Sequence, residues 1–300
     1  MQVARFEFSL FTENSYGLPD FKGSTFRGKF GHVLKRTICV MSHRDCEKCD
    51  LRERCAFPYL FDTENQRGES VPRPFVLEPP LTHRRFFLKD HPLHLNVVLA
   101  GKAIEFLPYF VYCFDRMGKE GIGQDRGRFR LESVTAADAM GNKVQIYDRE
   151  SQQLRNGFAR FSLANFKDKL LPHVTVSFLT PTTITVGGKP ARELTFEMLL
   201  RNILRRYRSL NYFHGDGQKR DFPIDWDAAR AIEIVHQDLQ VQRFKRYSNR
   251  QKRPVPLAGF IGNITYRGNI GPFLPWLKIG EYLHVGKGAV FGLGWYRMVE

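Results

Sequence analysis

Four glycines within nine positions near the C-terminus, Gly286, Gly288, Gly292 and Gly294, restrict what this chain can fold into more than any other stretch. They run directly into an apolar segment at 295–299. Glycine loses more conformational freedom on folding than any other residue, so a cluster at the entrance of a strand needs a reason. The usual reasons are positive φ angles and close approach of the backbone to another chain or a ligand. With no Cβ in the way, successive N–H groups can face one concavity and hold an anion such as a phosphate. Lys287 adds a full positive charge there. The same glycines also suit a bulged hairpin that closes a sheet, and glycine count alone does not separate the two readings.

Charge narrows the choice of ligand. Lys and Arg number 46 against 31 Asp and Glu, a net charge of +15. Such an excess favours a polyanion partner, nucleic acid or an anionic membrane surface. No apolar run reaches membrane length, and residues 1–6 alternate rather than form a signal peptide. A cytoplasmic location with reduced thiols is therefore expected. With 300 residues, 42% of them hydrophobic and 26 of them Phe, the chain can build two packed domains.

Patterning gives the order of elements. Residues 2–11 alternate, with Ala4, Phe6, Phe8 and Leu10 on one face, as in a half-buried strand. Ser24 is a plausible cap for a helix over 25–38, whose core face is Phe26, Phe30, Val33 and Leu34. Lys29, His32 and Arg36 fall on the opposite face. Strands are expected at 75–77 and 85–100, a helix over 103–117 interrupted by Pro108 and ended by Gly118, and a strand at 129–134. That order is β-α-β-β-α-β, the ferredoxin-like arrangement. Residues 137–169 are polar and weakly periodic. The same order then repeats: a strand at 173–186, a helix over 193–213, strands at 238–247 and 257–266, a short helix at 270–277 and a last strand at 295–299. The domains expected are 1–150, with a cysteine-rich insertion at about 39–72, and 173–300, joined by a linker at 151–172.

Three stretches could carry chemistry. Cys39, Cys46, Cys49 and Cys55 lie within seventeen residues and contain an internal C-x2-C, a spacing that suits a tetrahedral metal site. Zinc is the default occupant and an iron–sulfur cluster the alternative. Four thiolates would leave no open position, so the metal would be structural. The second stretch is the helix over 193–213, where Arg201, Arg205, Arg208 and Tyr212 share one face opposite Phe196, Leu199, Leu200, Ile203 and Tyr207. Alone, that face could be ordinary solvated surface. In the third, residues 242–253, six of twelve residues are basic, and Phe244 and Tyr247 are interleaved with Arg243, Lys245, Arg246 and Arg250. Basic groups hold phosphates and aromatics stack bases, the pairing used on RNA. Among the histidines, His32 lies outward between Lys29 and Arg36, whose charges should lower its pKa and keep it available as a base. His43 sits among the cysteines and could be a ligand instead. His214 and His284 close the other basic helix and open the glycine loop.

The tail His284-Val285-Gly286-Lys287-Gly288-Ala289-Val290-Phe291-Gly292-Leu293-Gly294 resembles the glycine-rich loop of the CRISPR-associated RAMP-superfamily endoribonucleases of the Cas-six type. The stretch Phe26-Arg27-Gly28-Lys29-Phe30-Gly31-His32-Val33-Leu34-Lys35-Arg36, with the four cysteines after it, resembles the larger cysteine-bearing branch of that family. The resemblance implies an α+β fold of two tandem ferredoxin-like (RRM-like) domains with a small cysteine-rich, metal-binding insertion. It implies cleavage of precursor CRISPR RNA within its repeats, without a catalytic metal, by 2′-OH attack that leaves a 2′,3′-cyclic phosphate. By position, His32 is the first candidate base and His43 the second, with Lys29 or Lys35 stabilising charge. The RNA would run over Arg201, Arg205, Arg208, the 243–253 segment and the loop of Gly286, Lys287, Gly288, Gly292 and Gly294. The tyrosine sometimes found in the family's first helix is absent, and Gly31 lies about there. The partners implied are CRISPR repeat RNA and other effector-complex subunits, with no membrane. A non-catalytic RAMP-type RNA-binding subunit of an effector complex is the alternative on the same fold.

Overall fold

The alternation in the first strand does what a half-buried strand requires. In β1 (Gln2–Thr12), Phe6, Phe8 and Leu10 are fully buried while the residues between them stay partly open. The computed structural model describes residues 1–41, 45–62, 68, 70–138, 140–186, 189–191, 193–248 and 253–299. Among these, residues 4–160 form one compact unit, and residues 161–300 with the first three residues form another.

In the first unit β1 is followed by α1 (Gly23–Ile38), α2 (Ala56–Phe61), β2 (Phe75–Glu78), β3 (Pro92–Ala100), α3 (Leu107–Glu120), β4 (Phe129–Ala137) and β5 (Lys143–Asp148). The strands are ordered β2-β3-β1-β4-β5. Counting β1 to β4 as the four strands of a β-α-β-β-α-β unit, this is the ferredoxin-like order, with β5 added at an edge. That fifth strand lies inside residues the sequence assigned to a polar tail. It forms because Lys143 to Asp148 fold back as a hairpin onto β4 residues 133–137, a pairing that periodicity does not report. Aromatic packing holds the helices on the sheet. Phe30 of α1 stacks on Phe110 of α3 at 4.4 Å and touches the rings of Phe61, Phe75 and Phe114 at 5.8, 5.9 and 6.0 Å.

Two helix boundaries correct the expectation. Ser24 is not the cap of α1; Lys22 occupies that position, its carbonyl accepting from Thr25 and Phe26 at 3.0 and 3.1 Å. Lys22 itself is buried, and its Nζ donates to the carbonyls of Asp20 and Thr82 at 3.0 and 2.8 Å. In α3, Pro108 sits in the first turn, where no intrahelical N–H is needed, and so starts the helix rather than breaking it. Gly118 does not end it either. A Cβ there would lie 1.9 Å from the Phe129 carbonyl oxygen, so this glycine lets β4 pass against the helix, which runs on to Gly121 at φ 82°.

The second unit repeats the plan with β6 (His173–Thr182), α4 (Phe196–His214), α5 (Trp226–Arg230), β7 (Glu233–Ser248), β8 (Arg253–Arg267), α6 (Leu274–Leu283) and β9 (Tyr296–Val299). Its sheet order is β7-β8-β6-β9, again ferredoxin-like. Thr195 caps α4, its Oγ1 accepting from the Met198 N–H at 3.3 Å. The buried stripe of α4 includes Phe196, Leu199, Leu200, Ile203 and Tyr207. No helix among the described residues is long and apolar enough to cross a membrane.

Candidate nucleic-acid interface and catalytic helix

Helix α1 presents His32 to solvent, as its place opposite Phe26, Phe30, Val33 and Leu34 dictates. The basic residues around it are less free than their spacing suggested. Lys29 donates to Glu120 of α3 at 3.0 Å, and Arg36 and Arg116 approach the same carboxylate at 3.4 and 3.7 Å. Burial works to raise the Glu120 pKa, but the Lys29 hydrogen bond and the charges of Lys29, Arg36 and Arg116 outweigh it and hold the group below its ordinary value. Lys35 lies over the Phe57 ring at 5.2 Å. Gly31 is explained by α2: a Cβ there would stand 2.6 Å from Cε1 of Phe61. The ring of Phe61 takes the space that a side chain on Gly31 would need. His43 lies outside the described residues. His214 and His284 are 2% and 0% exposed, and the His284 ring stacks on Trp295 with Nδ1 3.1 Å from the Leu293 carbonyl oxygen. Both histidines are packed inside the second unit.

The glycine loop joins α6 to the edge strand β9 and is not a hairpin turn. Its glycines are demanded by backbone geometry. Gly286, Gly288, Gly292 and Gly294 have φ between +71° and +83°, and a Cβ on Gly294 would fall 1.8 Å from the Val285 carbonyl oxygen. Several loop amides are turned inward: Val285 donates to Gly294, Lys287 to Thr183 and Gly294 to Pro181, at 3.0, 3.1 and 3.2 Å. The Trp295 N–H donates to Thr180 Oγ1 at 2.9 Å. The side chain of Lys287 is exposed and supplies the loop's charge.

On α4 the four arginines divide. Arg206 turns away from the others and donates to the Leu283 carbonyl at 2.5 Å, tying α4 to the end of α6. Arg201, Arg205 and Arg208 line an open groove of about 780 Å³ along the outer face, with Tyr212 at one end and Trp226 of α5 beside them. Trp226 is the residue that sequence reasoning missed. Its signal was faint, a lone tryptophan after the capping Asp225 in a polar stretch. The hairpin expected around the basic segment is present as β7 and β8, which pair through Ser248 and Arg253. β8 pairs with β6 only from Phe260 onward, so Arg243 and Phe244 lie on a two-stranded extension of the sheet. Arg243 is exposed and Phe244 half-buried. Lys245, Arg246 and Tyr247 continue that strand, and their side chains lie outside the described set, as does all of Arg250.

Cys39, Cys46, Cys49 and Cys55, all half-buried, line one small cavity of about 20 Å³ between the end of α1 and the start of α2. As they stand, no three His, Cys, Asp or Glu side chains among the described residues are arranged to hold a metal ion. The donor set, four soft sulfurs around one space, nevertheless suits zinc. Cys113 is buried in α3, and burial pushes its thiol up to about 12, as expected for a core residue rather than a ligand.

Comparison with known proteins agrees with this geometry. Residues 1–158 match the family profile AF_1859_N, an N-terminal domain, and residues 176–296 match that of the CRISPR-associated endoribonuclease Cas6. An uncharacterized protein of Archaeoglobus fulgidus is 28% identical over 307 residues, covering 99% of this chain and 98% of its own length. The fold is that of the Thermus thermophilus Cas6 (TTHB231) in its product complex, with a TM-score of 0.58 at 16% identity over 99% of both chains. A second Cas6 product complex (TTHA0078) gives 0.56 at 16% identity over the full length of both. A RAMP protein solved with different RNA substrates gives 0.53 at 11% identity, covering 99% of this chain and all of the other. By its first half, residues 1–158, the chain thus belongs to the AF_1859_N family, while its residues 176–296 match the CRISPR-associated endoribonuclease Cas6 profile and its fold is that of Cas6 and RAMP proteins of known structure.

Proposed function

We propose that this chain cleaves precursor CRISPR RNA within its repeats by acid–base transesterification that needs no metal. The observation that carries the reading is His32, exposed on α1 and bracketed by Lys29, Lys35 and Arg36. In this reading His32 takes the proton from the 2′-OH beside the scissile bond. The 2′-oxygen then bonds to the adjacent phosphorus as the bond from phosphorus to the 5′-oxygen breaks, and the leaving oxygen is protonated from solvent. The products are a 2′,3′-cyclic phosphate and a free 5′-OH. Lys35 lies one turn beyond His32, where its charge can offset that of the phosphorane, whereas Lys29, one turn before it, would first have to leave Glu120. The RNA path includes the α4 arginines, the strand extension from Arg243 and the loop around Lys287. An exposed His32 supports catalysis over a purely RNA-binding subunit.

We also propose that Cys39, Cys46, Cys49 and Cys55 take up a structural zinc ion once their side chains turn toward the shared cavity. The metal would hold the end of α1 to α2 and take no part in cleavage.

Purified chain with EDTA and a repeat RNA from its own genome, beside His32→Ala, tests the first proposal. One cut with a cyclic-phosphate end, slowed by about 10²–10⁴ in the variant, is the expected result. Equal cutting by the variant refutes His32 as the base. Tight binding without a cut refutes the nuclease reading in favour of the non-catalytic subunit.

A further inference from the structure

The groove on the outer face of α4 has a construction that phosphate binding alone does not call for. Its lining carries four cations, Arg201, Arg205, Arg208 and Lys219, against one carboxylate, Glu197. Glu197 does not simply cancel Arg201; it orients it. Both Nε and one terminal nitrogen of Arg201 donate to the same Glu197 oxygen, at 3.0 and 2.7 Å. The guanidinium also lies over the Trp226 ring at 4.0 Å. Arg230 of α5 reaches the same carboxylate at 3.3 Å and so ties the short helix that carries Trp226 to α4. A planar cation fixed along its edge by a carboxylate and lying over an indole is a stacking plate, because a guanidinium plane accepts a base as an aromatic ring does. Along the groove, Arg205 is exposed and bonds the Asn202 side chain at 2.8 Å, while Arg208 pairs with the exposed Asp221 at the rim. At the far end Lys219 stands over the Tyr212 ring at 5.5 Å, a second pairing of cation and aromatic.

We propose that this groove is a binding site for an unpaired stretch of RNA, with one base stacked on the Arg201–Trp226 plate and neighbouring phosphates held by Arg205, Arg208 and Lys219. The proposal rests on the reading of the chain as an RNA-processing protein and names the form of RNA that this face selects. A paired duplex keeps its bases stacked on each other and offers none to the plate, so the groove discriminates single strand from duplex. The volume of about 780 Å³ is that of a pocket for one or two nucleotides with an open path for the strand. An acidic peptide would satisfy the cations but would leave the oriented guanidinium plane without a role.

The test measures binding, so that it does not depend on cleavage. Labelled oligouridine and a blunt RNA duplex are titrated into the full chain and into Trp226→Ala, Arg201→Lys and Arg205→Gln. Trp226 is half-buried whereas Trp276 and Trp295 are 7% and 3% exposed, so quenching of intrinsic fluorescence reports on the plate. Trp226→Ala and Arg201→Lys should each weaken oligouridine binding about tenfold, the loss typical of one base stack, and leave duplex binding unchanged. Arg201→Lys keeps the charge, so a loss there belongs to the plane. Arg205→Gln should weaken both RNAs and lower the salt slope for the single strand by about 0.7. Wild-type binding by Arg201→Lys, or equal losses for duplex and single strand in Trp226→Ala and Arg201→Lys, overturns the proposal. So does displacement by polyglutamate with no effect of any variant on oligouridine. If repeat RNA is never cut but the oligouridine losses appear, the nuclease reading falls and this site stands. If cutting is normal and the losses are absent, only this site falls.

Discussion

Gly28 and Gly31 lie on the same helix, one turn apart, yet the same substitution should stabilise the chain at Gly28 and fail to do so at Gly31. Both are in the interior of α1. Replacing either with Ala recovers helix propensity worth about 0.8–1 kcal/mol. At Gly28 a Cβ would meet nothing within 4 Å, so the full gain should appear. At Gly31 the same Cβ lies 2.6, 3.0 and 3.4 Å from Cε1, Cζ and Cδ1 of Phe61. The Phe61 ring cannot swing aside freely. It stacks on Phe57 at 5.0 Å, packs on Phe75 and Phe30 at 5.4 and 5.8 Å, and carries the Arg27 guanidinium at 4.6 Å. Overpacking of this kind costs about 1–3 kcal/mol, which cancels or exceeds the propensity gain. Thermal unfolding of the two variants should therefore place Gly28→Ala about 2–4 °C above the wild type and Gly31→Ala level with it or several degrees below. Adding Phe61→Leu to Gly31→Ala should recover part of the loss, because the clashing atoms are gone. An equal rise in melting temperature for both single variants would refute the steric argument. Gly31 would then have no steric reason to be a glycine.

Glu120→Gln removes the carboxylate shared by Lys29, Arg36 and Arg116, and should cost about 1 kcal/mol at neutral pH, since these partly open groups are screened. The folded pKa of Glu120 is held below its ordinary 4.5, so its ionic contribution is present above that value and fades as pH falls through the folded one. Urea unfolding of wild type and variant should converge below about pH 4.5, and a gap constant with pH would show that the contribution is not ionic. For the cysteines, metal analysis of chain purified without added metal should find one zinc per chain, and Cys49→Ser should lose it. A strong chelator should lower the melting temperature of the wild type and not that of Cys49→Ser; a visible absorption band with iron in the sample would instead identify an iron–sulfur cluster.

Much of the architecture was legible from local pattern. The alternation of Phe6, Phe8 and Leu10, the stripe Phe26, Phe30, Val33 and Leu34, and the stripe Phe196, Leu199, Leu200, Ile203 and Tyr207 each name the buried face of their element. Burial needs only the period of the chain itself, so these were readable without a fold. The glycines of the tail were equally local, because a left-handed φ is a property of single residues. The exposure of His32 follows from the same helical period.

What tertiary structure alone decided is which charges and spaces are already taken. Lys29 and Arg36 read as a free basic stripe, but their carboxylate partner lies 91 and 84 residues away in sequence. Trp226 comes beside Arg201 only because α5 packs on α4, and no spacing rule links a residue of one helix to a residue of the next. The reason for Gly31 lies in Phe61, and the reason for Gly118 in the backbone of Phe129. Periodicity tells each residue which way it faces relative to its own element. Charge neutralisation, stacking and steric exclusion depend on which distant group arrives at that face, and only the folded chain brings such groups within a few ångströms of each other.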